Sequence, residues 1–137
     1  MTELNQPVML ELRHVSVAIG MSRFFGRLTV VPGALVFDPE GFGNTLNLEP
    51  ASRIVHRAPE LTVVFGRLLP PWMNSGIVLV DDASPFTGVV LLPFWQRRAV
   101  VAAARQAGLQ VDVYRTWSSA GGGIGSIAEL ERFRRSH

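Results

Sequence analysis

The amino-acid sequence predicts a mainly β (α+β) protein, and three features of its 137 residues indicate that class. Until about residue 93, short runs with period-2 alternation are separated by turn residues at regular spacing, which is typical of a β-barrel or sandwich. The segment 93–107 then contains five alanines and no turn residue after its first position, which predicts one long helix. Near the C-terminus, Ser126 and Glu129 form a capping box, which predicts a second, short helix.

The first predicted strands are an irregular strand and a hairpin. Within Met9–Ile19 the apolar residues change parity, and this change predicts a β-bulge near Arg13–His14. The runs Arg27–Val31 and Ala34–Phe37 are joined by Pro32-Gly33. Because proline presets φ and glycine accepts a positive φ, this junction predicts a type II turn or a tight hairpin.

Turn-forming residues delimit the remaining elements. We expect Gly20–Gly26 to be a loop and Asp38–Gly41 to end the second strand of the hairpin. Further strands are predicted at Thr45–Leu48, Ile54–His56, Leu61–Phe65, Ile77–Val80, Thr87–Leu92 and Leu109–Trp117. The expected fold is an antiparallel barrel or strongly bent sheet of about seven strands, capped by the long helix.

The helical segment 93–107 has recognisable ends and two different sides. Pro93 suits the first helical turn, where its missing N–H costs nothing, and Gly108 suits the C′ position. One side carries small apolar residues that permit close packing on a sheet: Val100, Ala103, Ala104 and Ala107. The arginines of this segment are expected to project outward at the edges: Arg97, Arg98 and Arg105.

Composition divides the chain into three parts. Residues 1–117 are predicted to form the β domain with its capping helix, residues 118–125 a flexible Gly/Ser tether, and residues 126–137 a basic tail helix. Ile127, Leu130 and Phe133 form one apolar face of the tail helix. With a flexible tether, that face docks either on its own domain or on another chain.

The hairpin region carries a family resemblance. The stretch Gly26–Phe37 resembles the Gly-x-Leu … Leu-x-Phe hairpin of small bacterial PH-like and GRAM-like domains, which have the pleckstrin-homology-like superfold. Gly88–Leu92 and the helix after it are similar to the last strand and capping helix of such domains. The resemblance covers about residues 10–110. It implies a PH-like barrel with lipid binding through an early loop, although that loop is usually Lys-rich and this chain has no lysine.

Charge is distributed unevenly along the chain. All 13 basic residues are arginines; residues 1–93 hold 6 Arg and 8 acidic residues, or −2, and residues 94–137 hold 7 Arg and 3 acidic residues, or +4. The basic C-terminal third makes an anionic surface a candidate partner. Nucleic-acid binding is not expected, because one basic patch would require the two helices to lie close together and no stacking platform is apparent.

The sequence contains no recognisable catalytic or metal-binding set. Because the chain has no cysteine, disulfides, thiolate metal sites and a Cys nucleophile are excluded. Close acidic pairs occur only among turn residues, where carboxylates commonly cap turns. The glycine-rich stretch 121–125 lacks the spacing and the lysine of a phosphate loop, so a linker is expected there. The three histidines are not at metal-ligand spacing: His14, His56 and His137. We expect no enzyme, no metal and no cofactor.

Two groups of residues are candidates for binding a partner. Arg23-Phe24-Phe25-Gly26-Arg27 interleaves cations and aromatic rings, so it either binds anionic lipid or begins a strand with one ring in the core. The lipid- or anion-binding candidates are Arg23, Phe24, Phe25, Arg27, Arg97 and Arg98. Trp72 and Met73 follow paired prolines and either form an apolar loop tip or plug the barrel end. The partner-binding candidates are Trp72, Met73, Ile127, Leu130 and Phe133.

These observations favour a non-catalytic binding or scaffolding module that acts through protein–protein contacts, with a homodimer as one form. Two alternatives stay open: a peripheral membrane module that binds anionic lipid, and a small-ligand barrel or enzyme with an unrecognised pocket. The N-terminus lacks a signal-peptide pattern, and no run reaches the ~20 apolar residues of a membrane span. We therefore expect a cytoplasmic protein, soluble or peripheral at the inner membrane face.

Overall fold

The computed structural model describes residues 7–19, 22–44, 53–67, 70–71, 74–81, 84–116 and 124–136. These residues form a mainly β fold, in which one curled half-barrel sheet is combined with two helices. The sheet has eight strands in the order β4-β3-β2-β1-β7-β6-β5-β8. The elements are β1 (Leu10–Ile19), β2 (Ser22–Val31), β3 (Ala34–Asn44), β4 (Ile54–His56), β5 (Glu60–Gly66), β6 (Ser75–Val80), β7 (Thr87–Leu92), α1 (Phe94–Gln106), β8 (Gln110–Thr116) and α2 (Ile127–Ser136).

The mainly β class and the curled sheet are confirmed, but the arrangement of the last strand differs from the expectation. Every adjacent pair among β1–β7 is antiparallel, whereas β8 lies parallel to β5. A parallel partner requires a crossover connection, which α1 supplies by carrying the chain from β7 over the sheet to its far edge. The described sheet therefore has eight strands instead of about seven, and it is not wholly antiparallel.

Alternate residues of the central strands face two separate hydrophobic clusters, because successive strand side chains point to opposite sides. On β5, Val63 packs in the cluster that contains α1, whereas Val64 packs in the cluster that contains α2. The first cluster draws residues from each of β1–β7, so we call its side of the sheet the inner face. The side that carries the second cluster is the outer face. The two helices thus lie on opposite faces of the sheet.

The predicted irregularities of the first strands are confirmed. The β1–β2 register shifts between Leu12 and Val15, which places the bulge at the predicted position, and His14 within it has a φ of 59°. Gly33 has a φ of 79°, which matches the third position of a type II turn between β2 and β3.

Two loop predictions in this region are wrong. Ser22–Val31 is one continuous strand, and β3 continues through Pro39 to Asn44. Proline is tolerated in β3 because the β2–β3 register shifts beside it, between Phe25 and Gly26. The predicted strand Thr45–Leu48 lies outside the described residues.

The curl of the sheet is fixed by the buried side chain of His56, at the end of β4. Its Nδ1 accepts a hydrogen bond from the Val80 N–H of β6 at 2.9 Å, so its Nε2 carries the proton and donates to the Glu60 carbonyl oxygen at 3.1 Å. A backbone bridge between His56 and Asp81 lies beside these bonds. The imidazole therefore holds the edge strand β4 against β6, which lies across the half-barrel.

Helix α1 begins and ends close to the predicted residues. Pro93 immediately precedes it, and its end is a Schellman motif, in which Gly108 has a φ of 96° and the Leu109 N–H donates to the Ala104 carbonyl oxygen at 3.0 Å. The predicted small-residue side is confirmed, since Val100, Ala103 and Ala104 are buried on the inner face. Neither α1 nor any other helix of the described ranges is long and apolar enough to cross a membrane.

Helix α2 is held on the outer face of its own sheet. The capping box is confirmed: the Ser126 Oγ accepts from the Glu129 N–H at 3.2 Å, and the Glu129 carboxylate accepts from the Gly125 N–H at 3.0 Å. Before the helix, the Thr87 hydroxyl donates to the Ile124 carbonyl oxygen at 2.9 Å. Residues 118–123, most of the predicted tether, lie outside the described residues, as does Trp117 at the end of the predicted last strand.

A substitution at Gly26 tests how closely the backbones of β2 and β3 approach at the bulge between them. A Cβ atom at this position would collide with the Asp38 carbonyl oxygen and the Phe37 ring. We therefore expect Gly26→Ala to lower the free energy of unfolding by about 2–3 kcal/mol, because this part of the core must be overpacked or the ladder must open. Urea denaturation measures the change.

Gly33→Asn is the matched control for this prediction. Asparagine tolerates a positive φ, and no heavy atom lies within 4 Å of a Cβ built at Gly33. We expect this variant to lose less than about 1 kcal/mol. Equal losses in the two variants would contradict the assignment of Gly26 to a close backbone approach.

Candidate functional site

A pocket of about 540 Å³ lies between α1 and the edge of the sheet formed by β5 and β8. Of the nine described residues that line it, five are arginines and the other four are apolar. The pocket is therefore a cationic groove with an apolar floor. Its lining residues are Phe65, Arg67, Arg97, Arg98, Val101, Ala102, Arg105, Val113 and Arg115.

Two elements bring these side chains together. On β5 and β8, Phe65, Val113 and Arg115 share the parity of residues packed toward α1, so they lie on the inner face. On α1, Arg97 is partly buried beside the side that packs on the sheet, whereas Arg98 and Arg105 lie farther round the helix and are exposed. The close approach of α1 to the sheet thus places helical and strand arginines around one groove.

Four of the pocket arginines lack, among the described residues, the carboxylate partners that arginines elsewhere in the fold have. Arg53 contacts Asp38 at 2.6 Å, Arg27 contacts Glu11 at 3.3 Å, and Arg134 contacts Glu60 at 3.3 Å. Within the described ranges, no carboxylate lies within 4.0 Å of the guanidinium of four pocket arginines. These are Arg97, Arg98, Arg105 and Arg115.

Arg97 is the most constrained of the pocket arginines. Its guanidinium carbon lies 4.4 Å from the centre of the Phe65 ring, at cation–π distance. Its Nη1 is buried and has no hydrogen-bond partner among the described residues. Burial lowers the pKa of Arg97, and the charges of Arg98 and Arg115 lower it further. Folding therefore disfavours the charged form of this side chain, although it stays protonated at physiological pH because an arginine side chain is a very strong base.

The backbone of α1 adds to the positive potential. Arg97 and Arg98 lie in the first two turns of α1, near the end at which a helix carries positive partial charge. The first turn contains no acidic residue, and Pro93 provides no side-chain cap. The helix end and the pocket arginines therefore have the same sign.

The described side chains of this pocket can bind an anion, but none of them is suited to proton transfer at neutral pH. An arginine presents five N–H donors in a planar fork that matches carboxylate and phosphate oxygens. Among the described lining residues, no carboxylate, histidine or hydroxyl side chain is present that would serve as a general acid or base. Among the described residues, no group of three or more His, Asp or Glu side chains is placed to hold a metal ion.

The anion-binding candidates named from the sequence fall into two places. Arg97 and Arg98 line the pocket. Arg23–Arg27 instead belongs to β2, where alternation buries Phe24 in the core at 4% exposure and leaves Phe25 37% exposed. Since this segment is a strand and not a loop, the Phe24 ring is not presented to solvent.

The partner-binding candidates are also placed differently. Trp72 and Met73 lie outside the described residues. Leu130 is 3% exposed and packs on the outer face, Phe133 packs against the same cluster, and the Phe133 ring makes an edge contact with Tyr114 at 5.2 Å. Ile127 is half-buried at the start of α2. The described tail helix therefore covers its own domain.

Sequence reasoning missed the strand contribution to the pocket, namely Phe65, Arg67, Val113 and Arg115. The charge excess of residues 94–137 was a signal for this region. However, the excess includes the arginines of α2, which lie on the opposite face of the sheet from α1. Only the parallel pairing of β8 with β5 shows which arginines converge.

Comparison with protein-family models, with curated proteins and with solved structures finds no match to this chain. The class that the fold and the site define is a mainly β protein with an arginine-lined pocket at one sheet edge.

The four pocket arginines that have no carboxylate partner among the described residues should weaken the fold slightly. We expect Arg115→Gln to raise the free energy of unfolding at low ionic strength by roughly 0.3 kcal/mol, because it removes like-charge repulsion from Arg97. The gain should shrink as sodium chloride screens the charges. Thermal or urea denaturation at two salt concentrations measures both effects.

Arg53→Gln makes the same change in net charge at a paired position. It removes the contact with Asp38, so its free energy of unfolding should fall instead of rise. Destabilisation by Arg115→Gln at low salt, equal to that of Arg53→Gln, would contradict the view that the pocket arginines repel one another.

Proposed function

We propose that this protein is a non-catalytic binding module that captures a multiply charged anion in the groove between α1 and β8. The observation that carries the proposal is the convergence of Arg97, Arg98, Arg105 and Arg115 around one pocket, with no carboxylate within 4.0 Å among the described residues. Like charges held this closely are stabilised when an anion binds among them.

The chemistry of the lining supports a ligand that carries phosphate or carboxylate groups. Each arginine can form paired hydrogen bonds to such groups, and the buried Nη1 of Arg97 supplies a donor without a partner in the described fold. Val101, Val113 and the Phe65 ring add apolar surface beside the charges. The pocket volume of about 540 Å³ lies in the range of ordinary ligand sites.

The order of elements supports the resemblance to PH-like domains. The antiparallel strands β1–β7 followed by α1 fit a bent sheet with a capping helix. The strand β8 and the helix α2 lie beyond that resemblance, and β8 contributes Arg115 to the pocket. We therefore propose a PH-like binding module whose anion site is built in part by an added strand. A cysteine-free chain is compatible with a reducing compartment, and we propose a cytoplasmic location.

Binding of inorganic tripolyphosphate tests this function. Isothermal titration calorimetry at low ionic strength should show saturable binding to the unmodified protein. The double variant Arg98→Gln, Arg105→Gln should weaken binding at least about tenfold, since two charge-assisted contacts are lost. Added salt should weaken the binding of the unmodified protein.

The matched control is the double variant Arg132→Gln, Arg135→Gln. Both arginines are exposed on α2, on the other face of the sheet, and the change in net charge is the same. This control should bind tripolyphosphate within about threefold of the unmodified protein, through long-range electrostatics alone. Equal weakening of the two double variants, or no binding to the unmodified protein, would contradict the proposed site.

Vesicles of anionic lipid distinguish a membrane-bound source of the phosphate from a dissolved one. Co-sedimentation with anionic vesicles that is lost in Arg98→Gln, Arg105→Gln would place a lipid headgroup in the same pocket. Co-sedimentation that this variant retains would assign lipid binding to another surface, such as the exposed Arg23 and Phe25 of β2.

A further inference from the structure

The strand beside the anion pocket lies at the edge of the sheet. Among the described residues, β8 pairs with β5 alone and is the last strand in the sheet order. The Gln110 N–H donates to the Pro59 carbonyl oxygen at 2.8 Å, and the Thr116 carbonyl oxygen accepts from the Arg67 N–H at 3.0 Å. In a parallel ladder only alternate residues of a strand bond to one neighbour. The even-numbered residues of β8 therefore bond to β5.

The backbone groups of the odd-numbered residues consequently point away from the sheet. Val111, Val113 and Arg115 direct their N–H and C=O groups to the edge of β8 that lies away from β5. An extended chain can pair with such groups and add a strand to the sheet. Val113 is also 47% exposed, so apolar surface is accessible beside the edge.

Pocket and edge lie side by side on the same elements. Val113 and Arg115 line the pocket with their side chains, and their backbone groups form the centre of the edge. Arg98 and Arg105 border the same groove from α1. A strand added to β8 would therefore present every second side chain to the arginines, because alternate side chains of a strand face the same side.

We propose that the natural ligand of this site is an extended acidic segment of a partner protein. This segment pairs with the edge of β8 that lies away from β5 and directs its carboxylates into the groove. This inference rests on the proposed anion site and specifies what occupies it. Charge complementarity selects the occupant: the four arginines favour a strand with acidic residues at alternate positions.

The same charges disfavour a second copy of this chain as the occupant. Pairing β8 with β8 of another copy would bring two sets of pocket arginines to one interface, and like charges facing each other are costly. An acidic segment instead supplies the carboxylates that the arginines lack. Arg115 at the edge then has two effects, since it discourages edge-to-edge association and attracts an acidic strand.

A synthetic peptide of alternating glutamate and valine, capped at both ends, tests the inference. It has seven residues to match the seven of β8. Two further peptides carry N-methyl groups, one on every glutamate amide and the other on every valine amide. All three have the same charge, but in a strand only one of the two amide sets faces β8. Binding is measured by fluorescence anisotropy of labelled peptides against the full chain.

We expect the unmethylated peptide to bind, and one methylated peptide to bind at least about tenfold more weakly while the other is little changed. Binding should also weaken in Arg98→Gln, Arg105→Gln and not in Arg132→Gln, Arg135→Gln. If both methylated peptides bind like the unmethylated one, or if no peptide binds, strand pairing is refuted.

Tripolyphosphate separates failure of this inference from failure of the proposed function. If tripolyphosphate binds to the pocket but methylation has no effect, the site binds anions without strand pairing. In that case strand pairing is refuted and the anion site is not. If neither tripolyphosphate nor any peptide binds, the anion site itself is refuted.

Discussion

The packing of α1 on the inner face is the interaction on which the rest of the structure depends. The small side chains of Ala103 and Ala104, with Val100, let the helix approach the sheet closely and bury its inward side. The hairpin between β2 and β3 supports the helix end, because the Gly33 N–H donates to the Ala107 carbonyl oxygen at 2.9 Å. The Schellman motif at Gly108 then redirects the chain, and buried Leu109 leads directly into β8.

The position of α1 also explains why the charged groove exists. Because one side of the helix must be apolar and small to pack on the sheet, its arginines lie outside that side, with Arg97 partly buried beside it and Arg98 and Arg105 exposed. These three arginines line one groove with Arg115 and Phe65, and no described carboxylate neutralises the four charges. Such a cluster costs stability, which the extensive inner core offsets. Electrostatic strain of this kind is typical of sites whose ligand supplies the missing charge.

Local signals in the sequence were sufficient for the local features of the fold. The bulge at His14, the turn at Gly33 and both ends of α1 depend on residue types that favour one backbone conformation, so they could be predicted. The segment 20–26 was different, because its glycines suggested a loop while Phe24 alternates with the core residues that follow it. Tertiary packing of Phe24 in the inner core, with pairing on both sides of β2, outweighs the local preference there.

The site was less predictable than the fold, because it depends on a pairing between distant parts of the chain. Arg97 and Arg98 could be named from the helix pattern. Arg115 could not be named, because the alternation of residues along β8 does not show that this strand pairs in parallel with β5. It also does not show that the Arg115 side chain lies on the face that carries α1. The burial of Leu130 could not be predicted for the same reason, because its partners Val64, Val78 and Val89 come from strands that are distant in the sequence.

The most direct test of the central claim is a titration of the isotopically labelled protein with tripolyphosphate, followed by NMR through backbone amides and arginine Nε–H groups. If anions bind in the pocket, the largest shifts occur at Arg97, Arg98, Arg105 and Arg115 and along β8 near Val113. Largest shifts at Arg132 and Arg135 on α2, or along β2 near Arg23, would show that anions bind elsewhere and would contradict the claim.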